Sequence, residues 1–174
     1  MTETLIQLAE KADRLARRAR INDILLFLDQ PEQDRVQAMS TVMQALDAGA
    51  YLLGTGPYTQ GVYSVMSEEV ILGRLATTLE TPLDKPVDIF CQDIVSLVPR
   101  EVSRYHAMIC RIGDQERMYF IEDLGSTCGT YLNGKKLGKS DTEDQKGSPA
   151  ELSSGDVISL GPSLINTFIF VDLR

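Results

Sequence analysis

Three short stretches of the chain concentrate arginine and hydroxyl side chains. The first is Gly73-Arg74, which directly follows an apolar run, and the second is Ser103-Arg104-Tyr105-His106. The third, Asp123–Gly134, reads DLGSTCGTYLNG and contains Thr127. Guanidinium groups match the geometry of phosphate oxygens, and a hydroxyl group can donate a further hydrogen bond to one. If these stretches converge in the fold, they predict a small cationic site for a doubly charged phosphate group.

The same residues offer little for catalysis. Ser103 and His106 are three positions apart and Cys110 follows, so a nucleophile and a base can be imagined. However, no third orienting group or oxyanion motif accompanies them, and the chain has one histidine and no GxxxxGK[ST] loop. The three cysteines, which include Cys91 and Cys128, lack the CxxC spacing of a zinc site or a disulfide framework. We therefore expect no enzyme activity, no metal and no cofactor.

The elements that must position these stretches fall into two parts with different hydrophobic periods. In residues 1–48, apolar side chains recur at helical spacing on both sides of the break Asp29-Gln30-Pro31-Glu32, and Gly49 suits the end of the second helix. The two apolar stripes are Leu5, Leu8, Ala12, Leu15 and Ala19, then Val36, Met39, Met43 and Leu46. We predict a helical hairpin over residues 1–48 and a second, mainly β domain over residues 49–174.

The second part consists of short segments rich in Val, Ile, Tyr and Phe, separated by Gly, Pro, Ser and Asp. The candidate strands are Ala50–Leu53, Gly61–Val65, Val70–Leu72, Asp93–Leu97, His106–Ile112, Met118–Asp123, Tyr131–Leu132, Val157–Leu160 and Asn166–Val171. Many short strands with frequent turns predict a β-sandwich or a barrel. Two connections, Leu75–Gln92 and Gly138–Glu151, look long for hairpins.

Taken in order, the motifs resemble the forkhead-associated (FHA) family of domains. The blocks are GR at Gly73-Arg74, SxxH at Ser103–His106, DLGSTxGTxxNG at Asp123–Gly134 and LxxGDxIxLG at Leu152–Gly161. The resemblance extends over about residues 50–174. It implies an FHA-type β-sandwich of about eleven strands, in which loops at one end bind a phosphothreonine peptide.

The resemblance also implies roles for individual residues. The phosphopeptide-contacting positions are Arg74, Ser103, Arg104, Thr127 and Cys128. The positions that support the site are Gly73, His106, Gly129 and Asn133. In this interpretation His106 shapes the binding loop without touching the ligand, Gly73 lets the arginine loop turn, and Asn133-Gly134 forms a hairpin turn.

Two departures from the family pattern leave a second function open. Cys128 stands where the family usually has asparagine, and a thiol is a weak substitute for an amide that clamps a peptide backbone. The connection Leu75–Gln92 looks longer than in typical members, so it could contact a ligand, cover the site or extend into solvent. The alternative hypothesis is a degenerate FHA fold that acts as a phosphate-independent interaction or scaffold domain.

Composition restricts the partners. The chain has 17 Lys and Arg against 25 Asp and Glu, a net charge of −8, whereas nucleic-acid binders usually show a basic excess. The basic cluster within residues 11–20 is interpreted as the solvated face of a helix. The longest apolar run, Ile24–Leu28, is too short to span a membrane, and the N-terminus lacks the apolar region of a secretory signal. We expect a cytoplasmic signalling module for a threonine-phosphorylated protein, with no nucleic-acid or membrane partner, and with residues 1–48 available for self-association.

Overall fold

One helix and two β-sheets make up the part of the chain that the structure describes. This computed structural model describes residues 32–56, 59, 61–74, 86–91, 100–113, 116–138 and 148–174. Helix α1 spans Glu32–Ala45. The strands are β1 (Gly49–Gly54), β2 (Gly61–Ser64), β3 (Glu69–Gly73), β4 (Ile89–Phe90), β5 (Ala107–Ile112), β6 (Met118–Asp123), β7 (Thr130–Leu132), β8 (Lys135–Lys136), β9 (Ala150–Leu152), β10 (Val157–Leu160) and β11 (Thr167–Leu173).

The strands form a sandwich of two sheets. One sheet has six strands in the order β2-β1-β11-β10-β7-β8, and the other has five in the order β4-β3-β5-β6-β9. Neighbouring strands are antiparallel except β3 and β4, which are parallel. The prediction of a mainly β sandwich of about eleven strands is therefore confirmed.

The core lies between the inner faces of the two sheets. Because successive side chains of a strand point to opposite faces, every second residue of the central strands enters this core. The six-stranded sheet contributes Leu52, Ile158, Leu160, Phe168 and Phe170, and the five-stranded sheet contributes Val70, Leu72, Ile109, Tyr119 and Ile121. This packing fixes β3, β5 and β6 side by side, and these are the strands whose ends carry the three predicted stretches.

Helix α1 packs on the outer face of the six-stranded sheet. Val42 is fully buried in a second, smaller cluster with Leu53 and Val171. Leu53 follows Leu52 in β1 and so points away from the main core. The helix thus contacts the sandwich and does not project from it. None of the helices in the described ranges has the length and hydropathy needed to cross a bilayer.

Only the second half of the predicted helical hairpin has structural support. Helix α1 agrees with the apolar stripe predicted after Pro31, but the first predicted helix falls on residues 1–31, outside the described residues. The hairpin is therefore not supported as a unit, and the division of the chain at residue 48 remains a prediction.

Three of the short strands were not predicted from the sequence. Strand β4 lies inside the connection predicted as the long loop Leu75–Gln92, and it pairs in parallel with β3. Strands β8 and β9 were also missed, because Lys135-Lys136 and Ala150-Glu151-Leu152 lack the β-branched and aromatic residues typical of a strand. The predicted strand Asp93–Leu97 lies in a range that the structure does not describe.

Candidate functional site

Hydrogen bonds join the three predicted stretches at one end of the sandwich. The backbone N–H of Arg74 donates to the carbonyl oxygen of Ser103 at 3.1 Å. The backbone N–H of Thr127 donates to Ser103 Oγ, also at 3.1 Å. The structure therefore brings the end of β3, the end of β6 and the loop that precedes β5 together. Ser103, in that loop, bonds to both Arg74 and Thr127. Since Ser103 Oγ accepts this bond, its own proton stays available for donation to a ligand.

The Arg74 side chain carries a donor that has no hydrogen-bond partner among the described residues. It is half-buried, and its Nε is enclosed by the protein without a hydrogen-bond acceptor. No carboxylate forms an ion pair with its guanidinium in the described part of the chain. A buried donor without an acceptor costs free energy, and an enclosed Nε is out of reach of a ligand. The groups of Arg74 that remain candidates for contact with a phosphate are therefore the terminal amino groups of its guanidinium.

Gly73 provides room for the neighbouring loop. A β-carbon at this position would overlap the carbonyl oxygen of Arg104 and would lie 3.2 Å from the carbonyl oxygen of Ser103. Gly73 is absent from the glycines with positive φ, so its backbone does not have the left-handed conformation. The expectation that Gly73 lets the chain turn therefore needs correction. The lack of a side chain at Gly73 instead allows the backbone of Ser103 and Arg104 to pack closely against it.

His106 links two of the loops from beneath. It is fully buried, and its Nδ1 accepts a hydrogen bond from the backbone N–H of Ser103 at 3.1 Å. A backbone N–H can only donate, so the ring proton resides on Nε2, which lies 3.2 Å from the carbonyl oxygen of Gly129 and donates to it. One neutral imidazole thus fixes the distance between the Ser103 loop and the loop that contains Thr127.

Asp123 organises the loop between β6 and β7. Its Oδ1 accepts the backbone N–H groups of Gly125 and Ser126 at 2.9 and 2.8 Å, and its Oδ2 accepts the hydroxyls of Ser126 and Thr130, both at 2.7 Å. Burial alone would raise the pKa of Asp123, but the hydrogen bonds from Thr130 and Ser126 outweigh it, and the pKa falls below its ordinary value. The charged carboxylate thereby holds Thr127 in place beside Ser103.

Sequence reasoning assigned no role to Asp123 or to the buried Ser126. The spacing does contain a signal for both. An aspartate followed by glycine and serine two and three residues later is typical of a side chain that bonds to its own turn.

The remaining predicted residues occupy different surroundings. The Arg104 side chain is exposed beside the Ser103 loop, while its carbonyl group lies against Gly73. Cys128 is a free, half-buried thiol that follows Thr127 in the loop. Asn133 lies at the other end of β7, where its side chain bonds to the Asp156 carboxylate and to the backbone N–H of Val157 at 2.8 and 2.9 Å. Asn133 therefore holds the β7–β8 turn and does not line the site.

The contacts described above hold Arg74, Ser103 and Thr127 next to one another in the chain fold. Arg74 and Thr127 each donate a backbone N–H to Ser103, and Thr127 is exposed to solvent. Within the described ranges, no group of three or more His, Cys, Asp or Glu side chains could hold a metal ion.

Comparison with known proteins agrees with this architecture. A search among curated proteins gives no match. Among solved structures, the chain is similar to the FHA domain of CT664 from Chlamydia trachomatis, with 25% identity, TM-score 0.50 and coverage of 72% of this chain and 98% of that one. It is similar to the kinase-interacting FHA domain of a kinase-associated protein phosphatase from Arabidopsis, with 26% identity, TM-score 0.51 and coverage of 72% and 94%. It also shares the fold of full-length Pml1p from yeast, with 21% identity, TM-score 0.53 and coverage of 83% and 98%.

The match to a protein family covers the segment that carries the site. The family model of the FHA domain matches residues 70–161, just over half of the 174-residue chain. This range starts within β3 and includes Arg74, the Ser103 loop and the Asp123 loop. The chain therefore belongs to the FHA domain family.

Proposed function

We propose that this chain binds threonine-phosphorylated proteins through Arg74, Ser103, Arg104 and Thr127, and acts as an adaptor in protein kinase-linked signalling. The observation that carries the proposal is the pair of hydrogen bonds that joins Arg74, Ser103 and Thr127 into one surface. FHA domains are interaction modules, and the similar Arabidopsis domain is described as kinase-interacting. We accordingly propose a binding function and no catalytic one.

Each residue has a distinct task in this proposal. Arg74 presents the terminal amino groups of its guanidinium to the phosphate oxygens. Ser103 donates its hydroxyl proton to a second oxygen, in a direction fixed by the bond from the Thr127 N–H. Exposed Arg104 adds a second positive charge at the rim, and Thr127 presents its hydroxyl from the opposite loop. A phosphate has three strong acceptor oxygens and nearly two negative charges, whereas a carboxylate has two oxygens and one charge, so donors from three loops match the phosphate better.

The number of contacts fits the affinity that signalling requires. A hydrogen bond to a charged group contributes about 1.5–3 kcal/mol. Two or three such bonds, together with contacts to the peptide backbone, suffice for a micromolar complex, which needs about 8 kcal/mol.

A phosphopeptide library tests the proposal. Peptides with a fixed phosphothreonine, and the same peptides without phosphate, are screened for binding by fluorescence anisotropy. We expect binding of the phosphorylated set only, and Arg74→Ala should reduce it at least tenfold. Equal binding of phosphorylated and unphosphorylated peptides, or unchanged binding in Arg74→Ala, would contradict the proposal.

Cys128 favours a second candidate function, a phosphate-independent scaffold on the same fold. The thiol follows Thr127, where the resemblance places an asparagine, and it lacks the donor and acceptor pair of an amide. In this case the wild type should bind no phosphopeptide, whereas Cys128→Asn should gain measurable binding. If the wild type and Cys128→Asn bind phosphopeptides equally, the cysteine at position 128 does not affect phosphopeptide binding.

Two further proposals concern the surroundings of the domain. We propose that the module works in the cytoplasm and binds a protein, without nucleic acid, membrane or cofactor; the acidic composition disfavours nucleic acid as the ligand. We also propose that residues 1–48 serve self-association beyond the contacts of α1. Sedimentation of the full chain at several concentrations tests the latter, because the mass of a monomer at every concentration would refute it.

A further inference from the structure

Lys136 lies beside the loop that carries Thr127. A β-carbon on Gly129 would overlap the Lys136 side chain and would lie 2.8 Å from its Nζ, so the lysine occupies the space that the glycine leaves open. In the β7–β8 hairpin Lys136 pairs with Tyr131, and Gly129 is the diagonal neighbour on the same face. Gly129 follows Thr127 and Cys128 directly, so the ammonium group lies at the edge of the proposed phosphate site.

The ammonium group is held in place but is not neutralised. Its Nζ lies 5.9 Å from the centre of the Tyr131 ring, within the range of a cation–π contact. In the ranges that the structure describes, no carboxylate forms an ion pair with Lys136. The side chain is exposed, so a ligand can reach it. An oriented, unpaired cation on an acidic protein is a place where an anionic group can bind.

The distance to the phosphate site suits one peptide ligand. Ser103 Oγ and Thr127 N are 3.1 Å apart. Two residues of chain then lead to Gly129, so the Lys136 ammonium is at most about 17 Å from Ser103 Oγ. An extended peptide covers that span in no more than about five residues.

We infer that Lys136 forms a second anionic subsite, which selects phosphothreonine peptides that carry an acidic side chain within five residues of the phosphothreonine. This inference rests on the proposed function and adds a sequence preference to it. The contact would be a solvent-exposed ion pair, which is worth about a two- to fivefold gain in affinity.

Lys135 supplies a matched control. It precedes Lys136 in β8 and pairs with Leu132, so its side chain points to the opposite face of the hairpin. Lys135→Gln and Lys136→Gln remove the same charge from the same turn, and both lysines are exposed, so both variants should fold. A difference in peptide affinity between the two variants therefore results from the position of the lysine and not from the change in net charge.

The test uses phosphothreonine peptides with glutamate or glutamine at each of five positions on either side, and measures Kd by fluorescence anisotropy at low salt. We expect the wild type to prefer glutamate two- to fivefold at one or two adjacent positions. Lys136→Gln should abolish the preference, while Lys135→Gln and Lys136→Arg should retain it. A preference that survives Lys136→Gln, or that Lys135→Gln removes equally, would overturn the inference.

Failure of the two proposals is distinguishable. If phosphorylated peptides bind without any glutamate preference, the subsite is refuted and phosphothreonine binding stands. If no phosphorylated peptide binds more tightly than its unphosphorylated form, both are refuted.

Discussion

Replacing Gly73 with alanine should separate β3 from the loop that carries Ser103. The new β-carbon would overlap the carbonyl oxygen of Arg104 and lie 2.9 Å from its carbonyl carbon, and both atoms belong to backbone that cannot rotate away. Relief requires a displacement of about 1 Å, because ordinary contacts begin near 3.4 Å. The hydrogen bond from Arg74 N to Ser103 O, now 3.1 Å, would then exceed 3.5 Å and be lost.

The size of this effect follows from two contributions. Overpacking of a tight contact costs about 1–3 kcal/mol, and the lost backbone hydrogen bond adds about 1 kcal/mol. The free energy of unfolding should therefore fall by about 2–4 kcal/mol. In urea denaturation this corresponds to a midpoint lower by about 1–2 M, for a slope near 2 kcal/mol/M. Phosphopeptide binding should weaken as well, since Arg74 and Ser103 move apart.

Gly138 provides the control for this experiment. A β-carbon there would contact nothing within 4 Å, and its φ is not in the left-handed region. Gly138→Ala should therefore change the urea midpoint by less than about 0.3 M, in line with other exposed substitutions. Equal midpoints for Gly73→Ala and Gly138→Ala would refute the role of close approach at Gly73.

Three further predictions concern the supports of the site. Val42→Ala should lower the free energy of unfolding by about 1–3 kcal/mol, because Val42 is fully buried against the sheet. Met43→Ala, on the exposed side of α1, should leave Tm nearly unchanged. Equal Tm values for the two variants would contradict the packing of α1. His106→Ala should lower the free energy of unfolding, measured in urea, by about 2–4 kcal/mol, since it removes a buried ring and the acceptor of the Ser103 N–H. His106→Gln should recover part of this loss. No recovery would argue against the hydrogen-bonding role of His106. Burial would raise the Asp123 pKa but hydrogen bonds hold it below its ordinary value, so the charged form stabilises the fold above about pH 4 and the contribution is lost as pH falls through the folded-state pKa. Stability of the wild type should thus fall more steeply below pH 4 than that of Asp123→Asn, and parallel curves would refute this.

Sequence patterns were sufficient where a signal is carried by several residues. The long central strands β1, β5, β6 and β11 each contain a run of four apolar residues bounded by polar residues or glycine, and the structure has all four close to their predicted bounds. Strands of two or three residues give no such pattern. Strand β4 exists because β3 offers it a parallel partner, and β8 consists of two lysines held by the Asn133-Gly134 turn. Both depend on pairing and not on local preference.

The site was predictable as a set of motifs but not as a geometry. The order of the blocks indicated that Arg74, Ser103 and Thr127 belong together. It did not reveal that Ser103 is the residue bonded to both of the others, since that depends on how β3, β5 and β6 align. Nor could it show that a side chain at position 73 would overlap the Arg104 backbone, or that Lys136 lies against Gly129 across a hairpin. Such contacts join a strand to a loop, and they follow from how the strands align.

The position of a bound phosphate group is the most direct test of convergence between the three loops. In a crystal structure with a phosphothreonine peptide selected from the library, the phosphate oxygens should lie about 3 Å from both the Arg74 guanidinium and Ser103 Oγ. A phosphate bound elsewhere, with other side chains filling the space between Arg74 and Ser103, would contradict the account.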